Sequence, residues 1–386
     1  MKGYSDRLGE VKEYYFSKKL KEVQKLRESG KPIINMGIGS PDLPPDHSVI
    51  EALKRIADSD SGHGYQSYQG TPALRNAIAA FYDKHYGVSL DPASEVLPLM
   101  GSKEGIMHIS MAFLNEEDEV LVPNPGYPTY TSVTKLLNAI PVYYSLNEND
   151  SWEPDWKALA QMDLSKVKLM WVNYPHMPTG AKGSESLFAR LVDFAKTHNI
   201  LLVHDNPYSF ILNDEPKSLL EIPGAKDHVL ELNSLSKTFN IPGWRVGMLA
   251  GRGEYIDAVL RVKSNMDSGM FLGIQEGAVA ALKLDSTWIS SMNKIYARRK
   301  SLVLKMAKLL QLDVLEDAVG LFVWGKVPDG KTATEIVDQL LYEYDIFITP
   351  GLIFGSKGAS YVRFSLCISE DKINEAIKRL ENYYTP

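Results

Sequence analysis

Three apolar runs in this chain end in unusually polar clusters. Ile200 to His204 runs into Asp205-Asn206-Pro207-Tyr208, and Val229 to Leu232 runs into Asn233-Ser234-Leu235-Ser236-Lys237. Lys168 to Val172 runs into Asn173-Tyr174-Pro175-His176-Met177-Pro178-Thr179-Gly180. A lysine amine can form an imine with a carbonyl, and a carboxylate can keep a basic ring nitrogen protonated. Gly101-Ser102-Lys103, at the start of a helix-like segment carrying Ile106, Ile109 and Phe113, offers backbone N–H groups to an anion, with hydroxyls and the Arg245 fork as further donors. Each feature alone has a plainer reading: Asp before Asn-Pro starts turns, one lysine among 42 cations is usually solvated, and Pro-Thr-Gly is a turn.

The elements that must position these residues are legible as βα alternation between about residues 95 and 255. Apolar runs at 118–122, 167–173, 200–205, 229–234 and 246–250 are separated by helix-like segments. Several are apolar on successive residues, as in a mostly parallel sheet covered by helices on both faces. Ser184 to Asn199, with Leu187, Leu191 and Phe194 on one stripe, is one covering helix. In such sheets ligands gather at the carboxyl ends of strands, so Lys237 and Asp205 are expected in one crevice. A lysine, a carboxylate and a phosphate cradle together suit pyridoxal 5'-phosphate.

After about residue 285 the pattern changes to long amphipathic helices and fewer strands. Thr332 with Glu335 reads as a capping box ahead of Ile336, Leu340 and Leu341, and Ser369 opens a helix with the stripe Ile373, Ala376, Ile377 and Leu380. The expected division is a large α/β domain over 46–284, and a smaller α+β domain made of 1–45 and 285–386. The first 30 residues read as a charged amphipathic surface or packing helix without chemistry. In the strand at 361–368, Tyr361, Arg363, Ser365 and Cys367 alternate with Val362, Phe364, Leu366 and Ile368. Arg363 is therefore on the face opposite the core, where its fork can take a carboxylate.

Composition narrows the function classes. The chain has 386 residues, 44% hydrophobic and 23% charged, and a net charge of −6 that gives no basic field for nucleic acid. No apolar run approaches the roughly 20 residues of a membrane span, and the N-terminal segment lacks the apolar core of a signal peptide. One cysteine, Cys367, excludes an internal disulfide and a Cys-rich zinc site, and no metal is expected. A reducing cytoplasm is the expected location.

Motifs in a fixed order then carry a resemblance. They are Gly39-Ser40-Pro41-Asp42, Tyr65 ahead of Gly70 and Leu74-Arg75, Gly101-Ser102-Lys103-Glu104-Gly105, and Asn124-Pro125-Gly126-Tyr127-Pro128. Pro178-Thr179-Gly180, Asp205 with Tyr208, Ser234 with Lys237, Gly243-Trp244-Arg245-Val246-Gly247 and Tyr361-Val362-Arg363-Phe364-Ser365 follow. The set resembles the fold-type I, pyridoxal-phosphate-dependent class I/II aminotransferases.

That resemblance implies Lys237 as the Schiff-base lysine and proton shuttle, Asp205 on the pyridine nitrogen, Tyr208 on the phenolic oxygen and Tyr127 stacked on the ring. It implies Gly101, Ser102, Lys103, Ser234 and Arg245 around the phosphate, with Tyr65 reaching it from the partner subunit of a homodimer. Arg363, helped by backbone at Gly39, would hold the substrate α-carboxylate. Met177 stands where the family usually has asparagine before Pro-Thr-Gly, and His176 is a candidate substitute.

Lys263 to Phe271 is similar to the branch containing alanine, methionine and diaminopimelate aminotransferases. The expected reaction is amino transfer from an L-amino acid to a 2-oxo acid. Since no Lys or Arg occurs between Ser264 and Gln275, a neutral side chain is expected on the substrate. A carbon–sulfur β-lyase and a non-enzymatic cofactor-binding regulator are the alternatives on the same scaffold. The regulator would normally need a basic DNA-binding segment, and none precedes Gly39.

Overall fold

The computed structural model describes residues 3, 5–9 and 15–381. Its centre is an eight-stranded sheet. In chain order the strands are β1 (Val96–Leu99), β2 (Glu119–Asn124), β3 (Ile140–Asn147), β4 (Glu153–Pro154), β5 (Val167–Val172), β6 (Leu201–Asp205), β7 (Val229–Ser234) and β8 (Gly247–Gly251). Their spatial order is β1-β8-β7-β6-β5-β2-β3-β4. The run β7-β6-β5-β2-β3 is parallel, whereas β8 is antiparallel to both neighbours and β4 is antiparallel to β3.

The apolar runs form these strands because both faces are buried. Leu169 and Trp171 pack on one side with Val203, Leu230 and Leu232, under the helix Ser102–Phe113. Met170, Val172 and Leu202 pack on the other, under Leu187 and Leu191 of the helix Glu185–His198. That helix starts where Ser184 accepts from Leu187 N and stops at Asn199 in the left-handed conformation. The one buried carboxylate within β7, Glu231, accepts from Tyr82, His204 and Ser218, so its burial leaves no unmet acceptor.

A second, four-stranded antiparallel sheet contains Asp313–Val314, Phe322–Lys326, Tyr361–Ser365 and Thr349–Pro350. Its register sets Arg363 opposite Trp324 on one side and Thr349 on the other. The capping box at Thr332 and Glu335 forms and opens the helix Ala333–Glu343. Ser369 caps Glu370–Leu380, which buries Ile373, Ala376 and Leu380. Ile34–Asn35 pairs in parallel with Ile346–Phe347, joining the early chain to this region. The helix α1 (Tyr15–Glu28) docks there too, with Lys19 donating to Asp338 of the helix Ala333–Glu343 over 2.9 Å; the rest of the expected N-terminal helix lies partly outside the described residues. Among the described residues no helix is long and apolar enough to cross a membrane.

Candidate active site

A cavity of about 1010 Å³ opens where β5, β6 and β7 end, between the two sheets. Lys237, Asp205, Tyr208, Tyr127, Arg245 and Arg363 line it, as do Gly39, Ser102, Lys103 and Ser234. Gly101 lies beside it, and Tyr65 does not reach it. The Tyr65 side chain is 93% exposed on the outside of this chain.

Asp205 is the last residue of β6, so its carboxylate leaves the sheet at the end where ligands collect. The Tyr130 hydroxyl donates to Oδ2 over 2.8 Å, while Oδ1 is buried with no partner. Burial pushes the carboxyl up to about 6, against the opposing pull of the Tyr130 hydrogen bond. An acceptor oxygen this buried and unmet suits a protonated ring nitrogen, and this is the fit that pyridoxal phosphate requires.

Lys237 sits in the short helix Leu235–Thr238 that follows β7, and its ammonium donates to Gly39 O over 2.7 Å. Burial lowers the Lys237 pKa, which favours the neutral nucleophilic amine. The Gly39 loop is braced by Asp42, whose two carboxylate oxygens take a bidentate clamp from Arg299 at 2.6 and 2.9 Å. A side chain at position 39 would run into the Phe322 ring, so glycine is required for this approach.

The anion cradle is built around Gly101, at φ +92°, which caps the helix Ser102–Phe113. Its missing Cβ would overlap the Arg245 guanidinium, and a Cβ on Gly247 would lie 2.5 Å from Ser102 N. The absent side chains let the guanidinium lie against the helix N-terminus, where the N–H groups and the helix dipole favour a phosphate. Ser234 adds a hydroxyl and caps the lysine-bearing turn by accepting from Ser236 N at 3.2 Å.

Tyr127 is half-buried and meets Tyr130 edge-on at 5.6 Å, leaving its ring toward the cavity. Tyr208 is buried edge-on against Phe322, and burial raises its hydroxyl pKa above the usual range. Arg363 is sandwiched between Phe322 at 4.0 Å and Phe354 at 4.6 Å. Its Nη2 donates to Gly37 O at 2.9 Å, its Nη1 reaches Met177 Sδ at 3.4 Å, and its Nε is buried and unpartnered. Burial lowers it to about 10, so it stays cationic at neutral pH. The strand's non-core face therefore looks into the cavity rather than into solvent.

His176 does not replace the missing asparagine. Its Nδ1 pairs with Thr179 Oγ1 at 2.8 Å, burial lowers its pKa to about 3, and it does not line the cavity. Asn173 does line it, but its amide is engaged with Asp205 O at 2.5 Å and its Oδ1 with Met177 N at 2.8 Å.

Three features escaped the sequence reading. Tyr130, three residues after Tyr127, stacks on Trp171 at 4.8 Å and holds Asp205; its spacing on a helix start was the available signal. Glu104 and His108 pair at 3.0 Å near Asp267, itself held by the Lys263 ammonium, and Glu104 accepts from Met100 N to brace the Gly101 turn. The third is α1, expected to carry no chemistry: Ser17, Lys21, Gln24, Lys25 and Glu28 line the cavity mouth.

Residues 31–380 match the family model described as aminotransferase class I and II. The chain belongs to that family. Among related aminotransferases, the LL-diaminopimelate aminotransferase of Dehalococcoides mccartyi strain 195 is 38% identical over 381 residues, 98% of each chain. That of Aquifex aeolicus is 36% identical, again over 98% of each. Among solved structures, substrate-bound BacF from Bacillus subtilis superposes with a TM-score of 0.94 at 35% identity, covering 99% of this chain and 98% of that one. A probable N-succinyldiaminopimelate aminotransferase from Thermus thermophilus gives 0.88 at 32% identity, covering 95% and 98%. The protein is thus a pyridoxal-phosphate-dependent aminotransferase of fold type I, with amino acids and 2-oxo acids as substrates. These relatives do not favour the lyase or the regulator.

Proposed function

We propose that this aminotransferase acts on an L-amino acid whose side chain carries no net charge, and that its roles divide as the cavity geometry suggests. When bound, pyridoxal phosphate supplies an electron sink conjugated to the substrate α-carbon. Asp205 Oδ1 holds the ring nitrogen, and Tyr130 orients that carboxylate. Lys237 Nζ would hold the cofactor's carbonyl carbon and, as a lysine whose pKa burial lowers, would be suited to moving the proton at the substrate α-carbon. Tyr208 donates to the phenolic oxygen and Tyr127 covers the ring face. Ser102, the Lys103 backbone N–H, Ser234 and Arg245 hold the phosphate. Arg363, clamped between two phenylalanines, holds the α-carboxylate in a fixed plane.

The observation that carries this reading is the unpartnered, buried Asp205 Oδ1 in the same cavity as Lys237 and Arg363. The enzyme works as a homodimer in which Tyr65, turned outward here, reaches the partner's phosphate. Residues 46–284 act as the cofactor-binding body, and 1–45 with 285–386 as the smaller one. Diaminopimelate, the substrate named for the relatives, fits the charge requirement because its far end bears one ammonium and one carboxylate.

A half-reaction screen tests the assignment. Holoenzyme mixed with single amino acids and no acceptor should lose its lysine-bound cofactor absorbance and release one equivalent of the matching 2-oxo acid. Repeated turnover of L-cystathionine to pyruvate and ammonia without acceptor would instead mark a β-lyase.

A further inference from the structure

His204 and Glu231 lie opposite each other on β6 and β7, and both side chains are fully buried. His204 Nδ1 is 2.8 Å from Glu231 Oε2, and its Nε2 is 2.8 Å from the Tyr174 carbonyl oxygen. Both ring nitrogens therefore face oxygen acceptors. A neutral imidazole has one N–H and one bare nitrogen, so it could serve only one of them.

The surroundings of Glu231 argue against a neutral carboxyl that would hand its own proton to the ring. Its Oε2 already accepts the Ser218 hydroxyl at 2.7 Å and the Leu219 N–H at 3.1 Å. Its Oε1 accepts from the Tyr82 hydroxyl at 3.0 Å and the Asn206 amide at 3.4 Å. Ser218 Oγ itself accepts from Leu220 N, which leaves its proton for Glu231. Four donors converging on two oxygens suit a carboxylate, and a carboxylate this deep needs a cation beside it. His204 is in ion-pair contact with it.

The pair sits directly behind the residue that faces the cofactor. Consecutive strand residues point to opposite faces, so His204 meets Phe188 edge-on at 5.3 Å on one face while Asp205 lines the cavity on the other. Burial pushes the Asp205 carboxyl up, and the Tyr130 hydrogen bond and then the charges of His204 and Lys237 oppose that rise. Lys237 is the reacting amine, and burial favours its neutral form, so its charge is not constant through turnover. His204 lies outside the cavity lining and takes no part in the chemistry. We propose that His204 is a positioning residue for the aminotransferase reaction: a buried imidazolium, fixed by Glu231 and the Tyr174 carbonyl, that keeps Asp205 ionised and through it the cofactor's ring nitrogen protonated. The inference rests on Asp205 being the partner of that nitrogen.

Selective 15N labelling of histidine in the full-length apoprotein tests the charge, and cofactor labelled with 15N in its ring tests the consequence. At pH 7.5 the His204 resonances, assigned by their absence from His204→Gln, should show two protonated ring nitrogens. A bare nitrogen would overturn the proposal. In the holoenzyme, His204→Gln should move the cofactor's ring nitrogen toward its unprotonated shift and lower kcat about tenfold, with KM for the amino donor changed less than about twofold. Because the single variant leaves Glu231 buried without its cation, its melting temperature should fall. The double variant His204→Gln with Glu231→Gln removes both charges together; it should regain most of that stability and still keep part of the displaced cofactor resonance. A wild-type resonance and wild-type kcat in the double variant would show that His204 serves folding alone, and the proposal would fall. Asp205→Asn isolates the premise: if the ring nitrogen stays protonated in that variant, the assignment of Asp205 fails, and the role given to His204 fails with it.

Discussion

The Tyr130 hydroxyl bonds one oxygen of Asp205 over 2.8 Å, and the other oxygen is buried beside it without a partner. This arrangement raises the carboxyl from 3.8 to about 6, because burial outweighs the one hydrogen bond. A carboxyl with a raised folded-state pKa costs stability wherever it is ionised in the folded chain. The unfolded chain loses that proton near pH 4 and the folded apoprotein near pH 6, so the cost grows across this window and is complete above it. A rise of about two units corresponds to about 3 kcal/mol. Asp205→Asn should therefore raise the apoprotein melting temperature at pH 7.5 and lose that advantage near pH 4, while turnover collapses. Equal melting temperatures at pH 7.5 would contradict the buried, unmet carboxylate.

Among the described residues, Lys237 is the lysine whose amine lies against the Gly39 carbonyl inside the cavity. Lys237→Ala should abolish covalent attachment, so that borohydride reduction fixes no cofactor to the protein. Mass spectrometry of the reduced variant checks this, and a retained adduct assigns the imine elsewhere.

Gly101 adopts φ +92° and leaves room for the Arg245 guanidinium. Gly101→Ala adds backbone strain of about 1–3 kcal/mol and displaces that guanidinium. Cofactor affinity should fall about tenfold or more in a fluorescence titration of apoprotein. Adding Arg245→Met to Gly101→Ala should cost less than the sum of the two, because both act through one group. Full additivity would separate the glycine from the arginine.

Met177 faces Arg363 and the cavity with a thioether, which cannot donate a hydrogen bond. On the proposed roles of Tyr208 as donor to the cofactor's phenolic oxygen and of Lys237 as its attachment point, the proton on the attached cofactor should be retained to higher pH than with an asparagine at 177. Met177→Asn should lower the midpoint of the spectrophotometric pH titration by about one to two units. An unchanged or raised midpoint means that another donor, such as the second Asn173 amide hydrogen, already serves that oxygen.

Much of the site is readable from the order of residues alone. Lys237 and Asp205 each follow a run of apolar residues, and a strand buried on both faces must be apolar throughout, so its polar end stands out. The glycines at 39, 101 and 247 are legible as motif members, and the close approaches of Phe322, Arg245 and Ser102 give their physical reason. Helix ends at Ser184, Thr332 and Ser369 are readable because capping is local chemistry.

The remainder depended on what meets what across the chain. The alternation around Arg363 assigns it a face, but whether that face looks at water or into a cavity is settled by Phe322 and Phe354 closing over it. The direction of β8 is likewise invisible, since an apolar run reads the same whether its partner is parallel or antiparallel. An amphipathic pattern in α1 shows only that one side packs. The contact between Lys19 and Asp338, 319 residues apart, turns the other side toward the substrate cavity. Periodicity along the chain sorts residues onto faces; only long-range packing decides what each face confronts.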